Sequence, residues 1–219
     1  MTPYILDTET HSATNPIPIE VAYLPVLPGL VQGPTTTLRY NPGQPITHGA
    51  MAVHHITDAD VQSAPAWPPQ AHPVPEDAEY LIGHNIDFDW VALGRPPIHR
   101  ICTLALARAL WPTADSHTQG ALIYRLEPPD VARALTKGAH GAAADIAMTF
   151  VLLTHILREI PDIKGWKALH AYCEQARIPT IFSFGKHKGQ PIATVPRDYK
   201  NWLLKQPDLD PYMEKALTR

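Results

Sequence analysis

Asp7 and Glu9 close the apolar run Tyr4-Ile5-Leu6, in the order Asp7-Thr8-Glu9-Thr10. A β-strand sends alternate side chains to opposite faces, so both carboxylates leave the strand on one side, about 6.5 Å apart along it. Two acids aimed at one spot need a cation. Two further acids stand where a core-forming element begins: Asp89, in the first turn of a helix just past a strand end, and Asp145, four positions after Gly141 at the start of the longest apolar segment. For either of these taken alone, capping or stabilisation by the helix dipole is a sufficient reason to be there.

The elements that must carry these acids can be read from periodicity. Tyr4-Ile5-Leu6 is apolar on both sides of its alternation and is expected as a central strand. Ile19–Leu24 and Thr35–Tyr40 are strand-like runs between Pro-Gly and Gly-Pro turns, giving a three-stranded meander with the first strand. Pro18, Pro25 and Pro28 suggest that the middle run is short or irregular and near an edge. From Asn41 to Pro75 the chain is rich in Pro and His, with one helix-like piece at 57–61 that Thr57 can cap. Tyr80-Leu81-Ile82, a turn at Gly83-His84-Asn85 and a helix over Phe88–Leu93 form a strand–turn–helix unit. Ile101-Cys102 and a helix over Thr103–Trp111, stopped by Pro112, repeat it. Ala142–Ile160 is apolar around nearly its whole circumference and is expected as a core helix ended by Pro161. An antiparallel start followed by alternating strands and helices gives an α/β architecture with a mixed sheet.

Composition sets limits on the chemistry. The 219 residues, 45% hydrophobic, suffice for one main domain and a small appendix. No stretch approaches the roughly 20 apolar residues of a membrane span, and no signal-peptide pattern opens the chain, so the expectation is a cytoplasmic protein with no membrane partner. Cys102 and Cys173 are far apart and lack Cys-x-x-Cys spacing, which argues against a disulfide scaffold or a zinc knuckle and leaves two partly buried thiols. The formal net charge of −3 hides an asymmetry: residues 1–163 carry 8 basic and 16 acidic side chains, net −8, and residues 164–219 carry 10 and 5, net +5. An acidic body with a basic tail fits an enzyme that binds metal and an accessory segment that contacts phosphate.

Three segments carry a resemblance. Asp7-Thr8-Glu9-Thr10, His84-Asn85-Ile86-Asp87-Phe88-Asp89 and His140-Gly141-Ala142-Ala143-Ala144-Asp145 are similar, in order and spacing, to the three motifs of the DEDDh family of 3′-to-5′ exonucleases. Ala50–Thr57 resembles the family's Val-His-x-Ile-Thr segment beside the substrate. The likeness covers about residues 4–157, and it continues into Phe182-Ser183-Phe184-Gly185-Lys186-His187-Lys188-Gly189, which proofreading subunits lack. The fold it implies is ribonuclease H-like: a mixed central β-sheet flanked by helices, followed by a small hairpin-plus-helix module. The limits it implies are an exonuclease domain over 1–160, a linker helix over 161–177 and a basic module over 178–219.

The activity the resemblance implies is hydrolysis of phosphodiester bonds at DNA 3′ ends, single-stranded or duplex, releasing 5′-mononucleotides; RNA ends and a non-catalytic binding role stay open as alternatives. Two divalent ions can both supply an attacking hydroxide and stabilise the leaving oxygen, and Mg²⁺ or Mn²⁺ prefers the oxygen ligands that four carboxylates offer. By resemblance Asp7, Glu9 and Asp145 hold one ion, Asp7 and Asp89 the other, and His140 is the general base. Gly138 and Gly141 suggest a mobile loop around it. The likeness places the terminal nucleotide near Thr8, Glu9, Val53, His54, Ile56, Asn85 and Phe88. Phe88 also suits plain packing, and Asn85 suits fixing the turn that aims Asp89. Glu20 is a supporting residue at most, and His11 and His55 stay outside the site.

The appendix begins near Pro161. Trp166, Leu169, Tyr172, Cys173 and Ala176 recur at helical spacing. Thr180–Phe184 and Gln190-Pro191-Ile192 read as a hairpin with a basic tip, Tyr199, Trp202 and Leu203 as one face of a following helix, and Asp208–Leu217 as a last one. Lys186, His187 and Lys188 suit a grip on DNA, and the same turn suits a protein-docking module with an unknown partner.

Overall fold

A computed structural model describes residues 2–68, 73–182 and 184–218. The chain divides into two compact units, the first reaching His170 and the second starting at Ala171. None of the described helices is long and apolar enough to cross a membrane.

The first unit is built on a six-stranded sheet of β1 (Thr2–Thr10), β2 (Pro18–Leu27), β3 (Val31–Gln32), β4 (Thr36–Arg39), β5 (Ala78–Gly83) and β6 (His99–Cys102), ordered β3-β2-β1-β5-β6 with β4 also paired to β2. β1 lies inside the sheet, antiparallel to β2 and parallel to β5. Ile5 and Leu6 are fully buried, as a strand covered on both faces requires. β5 and β6 are also parallel, so the sheet is mixed, as the alternation of elements implied.

The middle run departs from the sequence expectation. β2 is ten residues long and paired on both sides, not a short edge strand. Its prolines are tolerated because of where their missing donors fall. Pro18 opens the strand, and Pro25 sits where the partner changes from β4, paired to Glu20–Tyr23, to β3, paired to Val26 and Leu27. The Pro25 carbonyl accepts from Gly33 at 2.9 Å, and a residue's N–H and C=O point to the same side of a strand. The absent N–H therefore faces the gap in the partner strand.

Helices cover the sheet: α1 (His48–His54), α2 (Asp58–Val61), α3 (Asp87–Ala92), α4 (Thr103–Leu110), α5 (Gln119–Leu126), α6 (Pro129–Thr136) and α7 (Ala142–Glu159), with α8 (Trp166–Ala176) spanning the division between the units. Thr57 begins α2 as expected, its N–H and hydroxyl both given to Asp60 at 2.8 and 2.7 Å. Three helices have no counterpart in the sequence reading. α1 has the composition His-Gly-Ala-Met-Ala-Val-His, with no continuous apolar stripe, and starts because the Thr47 hydroxyl accepts from Ala50 at 3.3 Å. α5 and α6 follow Thr118 and the Pro128-Pro129 pair, with Pro129 at the first helical position. Cys102 and Cys173 are both buried in the core rather than partly buried.

The second unit has a small core of Phe182, Ile192, Val195, Leu203, Met213 and Leu217. Among the described residues the expected hairpin shows one bridge, between Ile181 and Pro191, flanked by bonds from the Phe182 N–H to the Gln190 carbonyl at 3.0 Å and from the Ile192 N–H to the Thr180 carbonyl at 2.8 Å, and it is followed by a 3₁₀ turn at Ile192–Thr194. α9 (Arg197–Leu203) and α10 (Pro211–Leu217) complete the unit, the latter capped by the Asp210 carboxylate on Tyr212 and Met213. Leu203 is buried, but Trp202 is 53% exposed and does not share its face.

Candidate active site

Carboxylate oxygens of Asp7, Glu9 and Asp145 lie within 4.8 Å of one another. Strand alternation puts Asp7 and Glu9 on one side of β1, and α7 delivers Asp145 from its first turn. Gln119, at the start of α5, fixes that turn: its amide nitrogen donates to the Asp145 carbonyl at 2.7 Å and to the Thr149 hydroxyl at 2.8 Å. Gln119 had no signal in the sequence, because its role exists only across two helices.

Asp89 is the fourth acid, almost completely buried in the first turn of α3. One of its oxygens accepts both the backbone N–H and the hydroxyl of Thr8, at 2.9 and 2.7 Å. The turn that aims it is tight. A Cβ on Gly83 would lie 2.7 Å from Ile86 and 3.0 Å from the Leu6 carbonyl, so only glycine lets this corner close onto β1. Asn85 follows in the left-handed region at φ 74°, its carbonyl accepting from Phe88 at 3.0 Å. His84 latches the same corner, donating from Nε2 to the His117 carbonyl at 2.9 Å and accepting at Nδ1 from the Thr103 hydroxyl at 3.1 Å. Burial holds its pKa down, at about 4, so the ring is neutral.

The four acids repel one another. Burial, and then the charges of Asp89, Asp145, Glu9 and Glu20, push the Asp7 carboxyl well above the usual range. Burial, then Asp145, Glu20 and Asp89, raises Glu9 to about 8. Burial raises Asp89 against the two bonds from Thr8, and burial raises Asp145 against the hydrogen bond from the His140 backbone. Such a set is protonated or it is neutralised by a cation. The donors are all oxygens, which fits Mg²⁺ or Mn²⁺ and not a soft metal.

Glu20 stands directly opposite Glu9 across the β1–β2 pair, and Arg39 directly opposite Glu20 across β2–β4. Directly paired residues share a face, and the Arg39 guanidinium donates to the Glu20 carboxylate at 2.9 Å. Arg39 thus offsets the like charges of Glu9 and Glu20, a function that no local motif announces.

His140 is exposed, and its backbone N–H donates to the Asp145 carboxylate. Its own backbone is left-handed, at φ 69°, whereas Gly138 and Gly141 beside it are not in that region. The special conformation of the loop belongs to the histidine, not to the glycines expected to provide it.

The remaining sequence candidates fall in two groups. Thr8 is buried at the cluster, Asn85 is exposed and Phe88 is half-buried beside Asp89. In the second group, Val53 is 48% exposed on α1, whereas Ile56 packs with Ile19, Ile46 and Val61. His54 has both ring nitrogens engaged, Nε2 donating to the Thr10 carbonyl at 3.2 Å and Nδ1 accepting from Ile56 at 3.0 Å. It ties α1 to the end of β1. His11 and His55 have structural roles: the His11 carbonyl accepts from Thr47 and its ring Nδ1 from the Ile17 N–H at 3.2 Å, and His55 ends α1 in the left-handed region.

No protein-family model matches the chain. Exodeoxyribonuclease 10 of Escherichia coli (strain K12) is 32% identical over 209 residues, which are 93% of this chain and 91% of the relative. Exonuclease X in complex with 5′ overhanging duplex DNA superposes with a TM-score of 0.61 at 31% identity, over 76% of this chain and 95% of that one. E. coli exonuclease I in complex with a dT13 oligonucleotide gives 0.56 at 18% identity, over 74% and 42%, a likeness of fold alone. The fold is the ribonuclease H-like one.

Proposed function

The chain belongs to the exodeoxyribonuclease 10 family, and from that premise we propose that it hydrolyses phosphodiester bonds at DNA 3′ ends and releases 5′-mononucleotides. The observation that carries this reading is the gathering of the Asp7, Glu9 and Asp145 carboxylates within 4.8 Å, with Asp89 bonded to the residue between the first two. Asp7, Glu9 and Asp145 would hold one Mg²⁺ or Mn²⁺, and Asp7 and Asp89 a second. When bound, such ions supply charge stabilisation at the leaving oxygen and a water of lowered pKa.

The chain's own groups do the rest. Thr8 holds Asp89 in one orientation, Gln119 holds the helical turn of Asp145, and Arg39 limits repulsion from Glu20. His140 takes the proton of the attacking water on a ring nitrogen and releases it to solvent, to which it is exposed. Val53 and Phe88 offer apolar surface to the terminal base, and Thr8, His54, Ile56 and Asn85 shape the floor around the sugar. Two buried cysteines, far apart in the sequence, suit the reducing cytoplasm.

The test is degradation of 3′-labelled single-stranded DNA, duplex DNA and RNA, titrated with Mg²⁺ and Mn²⁺. Metal-dependent loss of the label from DNA, with mononucleotide products, is expected. Untouched 3′ ends at saturating Mn²⁺ would defeat the reading, and preference for RNA would move it to RNA trimming.

A further inference from the structure

We propose that the second unit carries a binding surface for single-stranded nucleic acid, formed by the connected rings Phe184, Phe182, Tyr199 and Trp202 together with the basic turn at Lys186–Lys188. The proposal rests on the reading of this chain as an enzyme of nucleic-acid ends, and it assigns a function to a region that the proposed chemistry does not use.

The rings are contiguous. Phe184 meets Phe182 edge-on at 6.2 Å, Phe182 meets Tyr199 at 5.8 Å, and Tyr199 meets Trp202 at 5.5 Å. The inner two belong to or pack on the core, while the outer two are 44% and 53% exposed. A unit with so small a core gains nothing in stability from leaving its two outermost rings in water. A flat, exposed ring is a platform on which any base can stack.

The unit as a whole has the sign of charge a phosphate chain needs, with Lys186 and Lys188 on one side of Phe184 and Asp208 and Asp210 lining the pocket on which it borders. Residues 171–219 carry 8 basic and 5 acidic side chains, net +3, against 10 and 16, net −6, in residues 1–170. Two of the acids are engaged elsewhere: Asp210 caps α10, and Glu174 accepts from the Tyr212 hydroxyl at 2.8 Å. Lys186 and Lys188 are both exposed.

The turn that presents the lysines is built against the rings. Gly185 and Gly189 are both left-handed, at φ 68° and 84°, and a Cβ on Gly185 would lie 2.7 Å from the Tyr199 hydroxyl. Glycine is required for Tyr199 to reach the turn. His187 closes the arrangement, with its ring 4.5 Å from Tyr199 and Nδ1 paired with the Gln190 amide oxygen at 2.8 Å. Gly189 donates to the Phe182 carbonyl at 2.8 Å. The turn that carries the lysines is therefore tied to the rings before any ligand arrives.

The experiment measures anisotropy of a fluorescent oligothymidylate of about 20 nucleotides, long enough for several contacts, on the full chain in EDTA over a salt series. Phe184→Ala and Trp202→Ala should each weaken binding about tenfold, and Trp202→Phe should restore most of it. Lys186→Gln with Lys188→Gln should lower the salt slope by about 1.4, since each phosphate contact to a single strand contributes about 0.7. Affinity and slope unchanged in all these variants would overturn the proposal and leave the face to a protein partner. Binding needs no cleavage, so the two readings fail separately. A wild-type protein that binds in EDTA but never cleaves would remove the enzyme and keep the surface, and one that cleaves while the variants bind normally would do the reverse.

Discussion

Thr8 gives two hydrogens to one oxygen of Asp89, from its backbone nitrogen at 2.9 Å and from its hydroxyl at 2.7 Å, across 81 residues of sequence. The residue between the two acids of β1 is thus the clamp for the acid of α3. Hydrogen bonds to a charged group contribute about 1.5–3 kcal/mol each, enough to fix which lone pairs Asp89 has left for a cation.

Thr8→Val keeps the backbone bond and the shape and removes the hydroxyl. The expected result is a fall in cleavage of about tenfold to a hundredfold, partly recovered by raising the metal concentration, with Thr8→Ser close to wild type. Steady-state cleavage across a Mn²⁺ titration checks it, and a Thr8→Val protein with wild-type metal dependence would remove Asp89 from metal binding.

Replacing His140 tests the base, but alanine would also disturb a left-handed backbone position. His140→Asn is the cleaner variant, because asparagine tolerates that region. It should lower kcat by about 10²–10⁴ with the melting temperature unchanged. Near-wild-type cleavage would mean that the proton leaves by another route.

The raised acids make a signed prediction about pH. A carboxyl whose folded pKa lies above its unfolded value stabilises the fold fully below the unfolded value, and that contribution is lost as pH rises through the folded one. For Glu9 the window runs from about 4, its ordinary value, to about 8. Without metal, Glu9→Gln should match wild type near the bottom of that window and melt higher near its top, by about 2–4 °C per kcal/mol of burial cost and repulsion relieved. Saturating Mn²⁺ should reverse the order at the top. Melting curves at both ends, with and without metal, decide it, and a Glu9→Gln protein less stable than wild type at the top without metal would contradict the electrostatics.

Gln119 is a positioning residue with no atom in the cluster. Gln119→Met keeps the length and loses both donated bonds to Asp145 and Thr149. The half-saturating metal concentration should rise about tenfold, within the range for loss of a residue that orients a ligand, while cleavage at saturating metal changes little. Equal loss at all metal concentrations would point to general damage to α5.

The four acids and the strand–turn–helix units were legible because each sits at the junction of an apolar run and a turn, a local pattern. The clamp from Thr8, the bracket from Gln119 and the counter-charge from Arg39 were not, because each depends on pairing between segments far apart in sequence. Hidden for other reasons were α1, which lacks an apolar stripe, and the left-handed backbone at His140, which glycines on both sides concealed. β2 was misread because proline counts against a strand only when its missing donor faces a partner, and that depends on where β3 and β4 break.

The acids arrive from three elements in chain order: β1 first, α3 next and α7 last. A ribosome-bound chain that has not yet delivered Asp145 owns an incomplete cluster, and Gln119 has nothing to bracket. On the proposed reading, a nascent or truncated product ending before residue 145 has all six strands but not the last acid, and it would leave the nucleic acid around it uncut.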